Sequence, residues 1–585
     1  LTVEGNVLLA GAMVNLEKLR LAGAINQTIN ANGATLERLE VFKTTGIVEL
    51  TSPLSLTGML QIGTAGIRFR SQGFLTLLSS SDDASHTAAI GTIPTGSSIE
   101  GDVTVQRFMS GEGRLYRYLS SPVSNATVAT LMDDFAVTGK FADPSVGAGI
   151  VSTSPSLFEY DESAGDLQQG WRGYPPAGHA AEAPLQVGRG YAAFVRNRTP
   201  TLLDFAGTIN QGEIHLPLGY TLHNGTGNGW HLVGNPYPAA IDWDASAVSK
   251  VSVSYVIAIR DNGDHRFRYW DGDSQYTDIP EGRIAPGQSF WVRATAPGAS
   301  LTFREEAKAV DASFYRRPVA PIPSIRISVS HGRISDHAVL KLRPHCSDSV
   351  DRWDGLKLFN DTLNLSILAI GGSRLAIDSR PRLPDSITLR LTDLPPARYI
   401  LRLSAQDSLR HLTYYVRDSY LKRTEKLDVH DSLEFQVTTD TASSRPARFT
   451  LYIGLPEPSK YAPLDLPSLY APSADSVSVW IGLQASSGAL RVYPNPATTE
   501  LIVEGVCEEG GPAADRLRVA LYNAIGMRVS PETFTVRLTT PPETSVQMPE
   551  RCVLFFLEAE KLSRGTYFVR VDRRSRSSWV RFIKA

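Results

Sequence analysis

The sequence predicts an all-β chain: a parallel β-helix, two tandem β modules, a β-sandwich and a small C-terminal sandwich. Three observations lead there. Short apolar–polar–apolar runs dominate, as strands with one buried face require. Turn chemistry is abundant, with 47 Gly and 36 Pro in 585 residues. No stretch approaches the roughly 18 uncharged apolar residues of a membrane-crossing helix.

Residues 1–106 carry a recurring triplet. Leu1-Thr-Val3, Leu19-Arg-Leu21, Leu39-Glu-Val41, Leu54-Ser-Leu56 and Ile67-Arg-Phe69 each precede a nearby glycine, with starts 18, 20, 15 and 13 residues apart. Such recurrence suggests stacked coils of a parallel β-helix, each completing its core against the next. An irregular sandwich with glycine turns is the alternative. The first triplet has no capping segment before it, so the β-helix is expected to continue upstream of Leu1.

Residues 107–210 and 211–319 read as two copies of one β module. "YRYLSSPVSNATV" (116–128) is echoed by "WHLVGNPYPAAID" (230–242), and "GRGYAAFV" (188–195) by "GQSFWVRA" (287–294). A strand with Leu203 and Phe205 closes the first copy, and one with Leu301 and Phe303 the second. The expectation is a shared topology in which Pro122 matches Pro236 and Phe205 matches Phe303. Residues 320–454 follow as alternating runs such as "SIRISVS" and "ARYILRLSA", the signal of an antiparallel sandwich. Residues 455–488 are rich in Pro and aperiodic, an extended linker. Residues 489–585 form the last domain, opened by "YPNPATTELIVEG". Its prolines disfavour helix before a β-branched run.

Composition narrows function by exclusion. A net charge of −2 and a pI near 6.7 give no footprint for nucleic acid or an anionic membrane. Cys346, Cys507 and Cys552 fit no zinc or redox spacing. Cys507 and Cys552 either pair within the last domain or remain thiols. No basic start and apolar core of a secretory leader opens the chain. His-Glu-x-x-His, Gly-x-Ser-x-Gly and phosphate-loop patterns are missing, so no catalytic residue and no cofactor is assigned. Asp261, Asp264, Asp271 and Asp273 have the oxygen chemistry of a calcium site, but Asp-Gly and Asn-Gly also make tight turns, the preferred reading. Asp242 and Asp244 flank Trp243 as in some sugar sites, and Trp270 sits in an aromatic run, although a core role suits Trp243 better.

The ending carries the specific signal. After Tyr493-Pro494-Asn495-Pro496 come "LRVALYNAIGMRV" (517–529), "LEAEKLSRGTYFVRV" (557–571) and "WVRFIKA" (579–585). This series resembles the type A C-terminal sorting domain of Bacteroidetes type IX secretion. The matching positions are Pro494, Asn495 and Pro496, then Tyr522 and Gly526, then Leu562, Gly565, Tyr567 and Val569, and finally Phe582, Ile583 and Lys584. An expanded loop between Cys507 and Cys552 departs from the pattern. The resemblance implies a seven-stranded sandwich that acts as an export and anchoring signal. Residues 107–310 more loosely resemble repeats of large Bacteroidetes surface proteins.

The last hairpin sets Arg570, Arg573, Arg574, Arg576, Arg581 and Lys584 against Asp572 alone. It reads as a docking edge for an acidic receptor, or as a strand edge guarded by charge. The expectation is a secreted, outer-membrane-associated structural or adhesive protein with no catalytic activity. Its expected partner is an outer-membrane β-barrel shuttle or translocon component, with surface lipopolysaccharide after processing and a second copy of the chain as further candidates. The other reading is a carbohydrate-binding or carbohydrate-degrading surface protein whose catalytic part lies upstream.

Overall fold

The computed structural model describes residues 1–9, 16–82, 86–111, 113–139, 154–164, 169–176, 182–223, 226–227, 229–261, 264, 266–273, 279–309, 322–429 and 431–454. Beyond 454 it describes strands alone, given below. The described residues are mostly β. They fall into two compact units, Leu1–Pro381 with Thr392–Pro395, and Arg382–Leu391 with Pro396–Ala585. The segment 320–454, expected as one sandwich, is thus shared between the two.

In the first unit the chain visits two parallel ladders alternately. One contains β1 (Thr2–Val3), β3 (Lys18–Leu21), β5 (Thr35–Val41), β7 (Leu54–Ile62), β9 (Leu75–Leu77) and β12 (Asp102–Met109). The other contains β2 (Val7–Leu8), β4 (Gln27–Asn30), β6 (Ile47–Leu50), β8 (Arg68–Arg70) and β11 (Ser98–Glu100). Between them, β10 (Ala89–Ile90) pairs with β7. Leu19, Leu39 and Leu60 stand in register across three strands, and Val48, Phe69 and Ile99 across three in the other ladder. All six are buried, so each strand covers its neighbour's apolar face. The triplet at Ile67 therefore continues the second ladder and does not follow Leu54 in the first. Lys43 lies inside, its ammonium donating to Ile25 O (2.7 Å) and Gln27 Oε1 (2.6 Å). Residue 106 falls within β12, which also pairs antiparallel with Thr201–Thr208, Val105 opposite Phe205.

The two copies share strand order and register. In the first, Leu115–Leu119, Tyr191–Val195, Leu157–Tyr160 and Trp171–Gly173 are neighbours in that order. In the second, the order is Trp230–Gly234, Ser289–Arg293, Ile257–Arg260 and Phe267–Trp270. Tyr116 opposite Phe194 becomes Trp230 opposite Arg293, and Leu119 opposite Tyr191 becomes Val233 opposite Phe290. Tyr160 opposite Trp171 becomes Arg260 opposite Phe267. Phe303 pairs with Ile214 as Phe205 does with Val105.

The copies meet through a self-complementary contact. Leu119 bridges Gln288, and its counterpart Val233 bridges Arg189, the counterpart of Gln288. Ser120 N donates to Gly287 O (3.0 Å), while Gly234 N donates to Gly188 O (2.8 Å), again with the roles exchanged. This is the pattern of a twofold axis. Small residues let the backbones close on it: a Cβ on Gly234 would sit 2.1 Å from Ser120 Cβ, and one on Gly190 2.8 Å from Ser289 Cβ.

The rest of the first unit includes an antiparallel hairpin, Ser324–His331 with Ile334–Leu342. Its second strand runs parallel to Arg374–Arg380, which also pairs with Asn364–Leu368 and Gly355–Leu356. In the second unit, Ser386–Thr392, Phe449–Ile453, Tyr414–Asp418 and Arg423–Lys426 form one run of antiparallel pairs, and Ala397–Ala405 pairs with Ser432–Val437. Buried Arg448 clasps Asp418 with Nε and Nη2 at 2.6–3.1 Å. Toward the C-terminus, seven described strands form two sheets. Arg491–Tyr493, Glu500–Val506, Arg551–Glu558 and Thr535–Leu538 make the first, and Arg518–Asn523, Gly565–Arg573 and Arg576–Lys584 the second.

Candidate functional site

Of the residues assigned from sequence to the export signal, Pro494, Asn495, Pro496, Gly526 and Arg574 lie outside the described residues, as do the linker and Cys507. Gly565, Tyr567, Arg570 and Arg573 belong to Gly565–Arg573, and Arg576, Arg581 and Lys584 to Arg576–Lys584. These strands form a hairpin with Arg573 opposite Arg576 and Gly565 opposite Lys584, and the second is the end strand of its sheet. Arg570 stands opposite Trp579 and Arg581 opposite Phe568. Register therefore puts Arg573, Arg576 and Lys584 on one alternation of the ladder and Arg570 and Arg581 on the other.

The four aspartates of the calcium reading separate into two groups, each with its own cations. Asp264 binds Arg266 and Arg268, and Asp261 binds Arg268. Asp271 and Asp273 are buried around the Lys341 ammonium at 2.9 and 3.0 Å, and Asp271 also accepts from Arg343 at 3.0 Å. The chain supplies the positive charge itself. Among the described residues no three or more His, Cys, Asp or Glu gather as a metal site.

The tryptophans of the sugar reading are interior. Trp243 and Trp270 are 0% and 1% exposed, and Trp270 Nε1 donates to Asp244 Oδ2 at 2.9 Å. Neither has a ring face to offer a ligand. Cys346 is a free, buried thiol that burial pushes up to about 12. A cleft of about 540 Å³ lined by Phe359, Asn360, Asp361, Arg374, Thr392 and Asp393 holds charges that already have partners within the chain.

What sequence reasoning missed is an aromatic sheet face on the first module. Tyr116, Tyr118, Phe158, Tyr160, Trp171 and Phe194 come from four strands, and pairing brings them together. Half of the face is closed: Tyr160 and Trp171 stand edge-on to Trp291 of the second module at 4.7 and 5.6 Å. The other half is less buried. Tyr116 is 42% exposed and lies 6.0 Å from Phe158 and 5.0 Å from Phe194, with rings inclined 65° and 50°. The guanidiniums of Arg114 and Arg196 lie 5.6 and 5.1 Å from the Phe194 centroid. Arg196 donates to Ala136 O and Thr138 Oγ1, and among the described residues neither arginine has an ion pair. The inclined rings make a corrugated surface, unlike the flat platform that suits a sugar face.

No protein-family model matches the sequence, and no curated protein matches it.

Proposed function

We propose that this chain is a secreted structural or adhesive protein of the bacterial cell surface, exported by Bacteroidetes type IX secretion. Its C-terminal domain would be the export and anchoring signal, and the chain would act by binding, without catalysis. The observation that carries this reading is the ordered series from Tyr493-Pro494-Asn495-Pro496 through Gly565 and Tyr567 to Lys584. Its region also contains seven described strands in two sheets, the number the resemblance implies. The machinery's β-barrel would then meet the terminal hairpin at the strand that ends the sheet among the described residues, where strand addition and carboxylate–arginine pairing would both favour docking. The first 106 residues would serve this role as coils of a parallel β-helix, an extended spacer whose paired strands recur every 18–22 residues before a last step of 28 or 30.

The test replaces Arg573, Arg574 and Arg576 with Glu in a type IX-competent host. The variant is expected to be lost from the surface-exposed fraction and to stop co-purifying with the barrel. A chain lacking residues 491–585 should fail in the same way. Surface display of the truncated chain would overturn the export reading, and normal display of the Glu variant would remove the hairpin from the docking surface.

A further inference from the structure

The strand Ile334–Leu342 is fastened to the second module at both ends. Near its start, Ser335 accepts from the Arg266 guanidinium, through its carbonyl at 2.9 Å and its hydroxyl at 3.0 Å. Near its end, the Lys341 ammonium lies between Asp271 and Asp273, and Arg343 beyond it donates to Asp271 O at 2.9 Å. Side chains alternate along the strand, so Ser335, His337, Val339 and Lys341 share the side that meets the module. His337 thus stands in the middle of this seam, and it is buried.

The state of the ring follows from its neighbour. Arg326, opposite Val339 in the hairpin, brings its Nη2 to 3.1 Å from His337 Nδ1. A guanidinium has only N–H groups to offer, so Nδ1 accepts and the imidazole is neutral. The elements around it add further cations, each with a carboxylate of its own. Lys357 holds Asp336 at 2.6 Å, which also accepts from Leu365 N at 2.7 Å. Arg266 and Arg268 hold Asp264 at 2.7 and 2.6 Å, and Arg268 reaches Asp261 at 3.1 Å. Burial, with Arg326, Lys357, Arg266 and Arg268 beside it, keeps the imidazole well below the usual histidine value of 6.5.

We propose that His337 makes this seam an acid-sensitive latch, whose protonation frees strands Ile257–Arg260 and Phe267–Trp270 of the second module from the hairpin Ser324–Leu342. A proton on Nδ1 sets a donor against the Arg326 donor and adds a positive charge where four already stand. The ring takes up that proton only when the seam parts. The sign is fixed by this order: the contribution of His337 is complete above the usual histidine value and is lost as pH falls below it. The inference does not rest on the route of export.

The experiment compares amide hydrogen exchange of the intact parent chain with that of His337→Asn at pH 7.5 and 5.5, corrected for intrinsic exchange rates. The asparagine oxygen can take the Arg326 hydrogen bond but cannot titrate, and every other titrating group is common to both chains. Relative to the variant, protection of Phe267–Trp270 and Ile334–Leu342 in the parent is expected to fall about tenfold at the lower pH. That is the share a histidine released to its ordinary value supplies over this interval. In Lys18–Leu21 and Thr35–Val41 the two chains should respond alike. Exchange at the His337 ring carbon of the parent reads the group directly and needs no variant, so it decides the matter if His337→Asn does not fold. Its midpoint is expected below about pH 5.5. A ring midpoint at the ordinary histidine value, or equal responses of the two chains along the seam, would overturn the proposal.

Discussion

Lys341 shows what a single residue can decide. Its ammonium is fully buried between two carboxylates, and Arg343 completes the neutralisation of Asp271. Removing one partner from such a group leaves charge uncompensated in a low dielectric. Lys341→Met is therefore expected to cost about 3–5 kcal/mol in urea unfolding. Adding Asp271→Asn and Asp273→Asn should recover part of that loss, because the stranded charges go with them. Asp354 makes the opposite case, a carboxylate that forms no ion pair among the described residues. Burial pushes its pKa up to about 7, against the pull of hydrogen bonds from Ser379 N and Asp351 N, while Asp378 and Asp351 add repulsion. The native state thus holds a proton that the unfolded chain releases near pH 4, and stability falls as pH rises between those values. Midpoints of urea unfolding measured from pH 4 to 8 should show that decline, and Asp354→Asn should flatten it. An unchanged slope would show that Asp354 ionises without cost.

At the scale of strands, much was legible because side chains alternate with a period of two. The Leu19 and Leu39 triplets are in register, and the matched motifs of the two modules lie on equivalent strands. The triplet at Ile67 lies in the other ladder, a difference that the triplet pattern does not carry. Both ladders use the same apolar alternation, so the pattern marks a strand but not the ladder that the chain has reached. The partners of Asp271 were hidden because Lys341 and Arg343 are distant in sequence and meet it only through tertiary packing. Tyr116, Phe158 and Phe194 were hidden likewise: each is an ordinary aromatic in its own strand, and antiparallel pairing alone makes them a face. Trp243 was read correctly as core, since a bulky indole between strand residues has few other places to go.

At the scale of the whole molecule, the described residues of the first unit contain one module twice, joined face to face about an approximate twofold axis. The fit at that axis is testable. Gly234→Ala should lower the melting temperature by several degrees, because the new methyl meets Ser120 Cβ. Ser120→Gly in the same chain should restore part of it, and strict additivity of the two changes would show that they do not touch. Two such units on separate chains would pair only above their dissociation constant. Tethered in one polypeptide, they meet at a fixed effective concentration, so dilution cannot part them. Covalent linkage also lifts the demand that both halves stay alike. One half packs Trp230 with Leu356 and Leu358, while its counterpart Tyr116 in the other is 42% exposed, a divergence closed to a homodimer of identical chains.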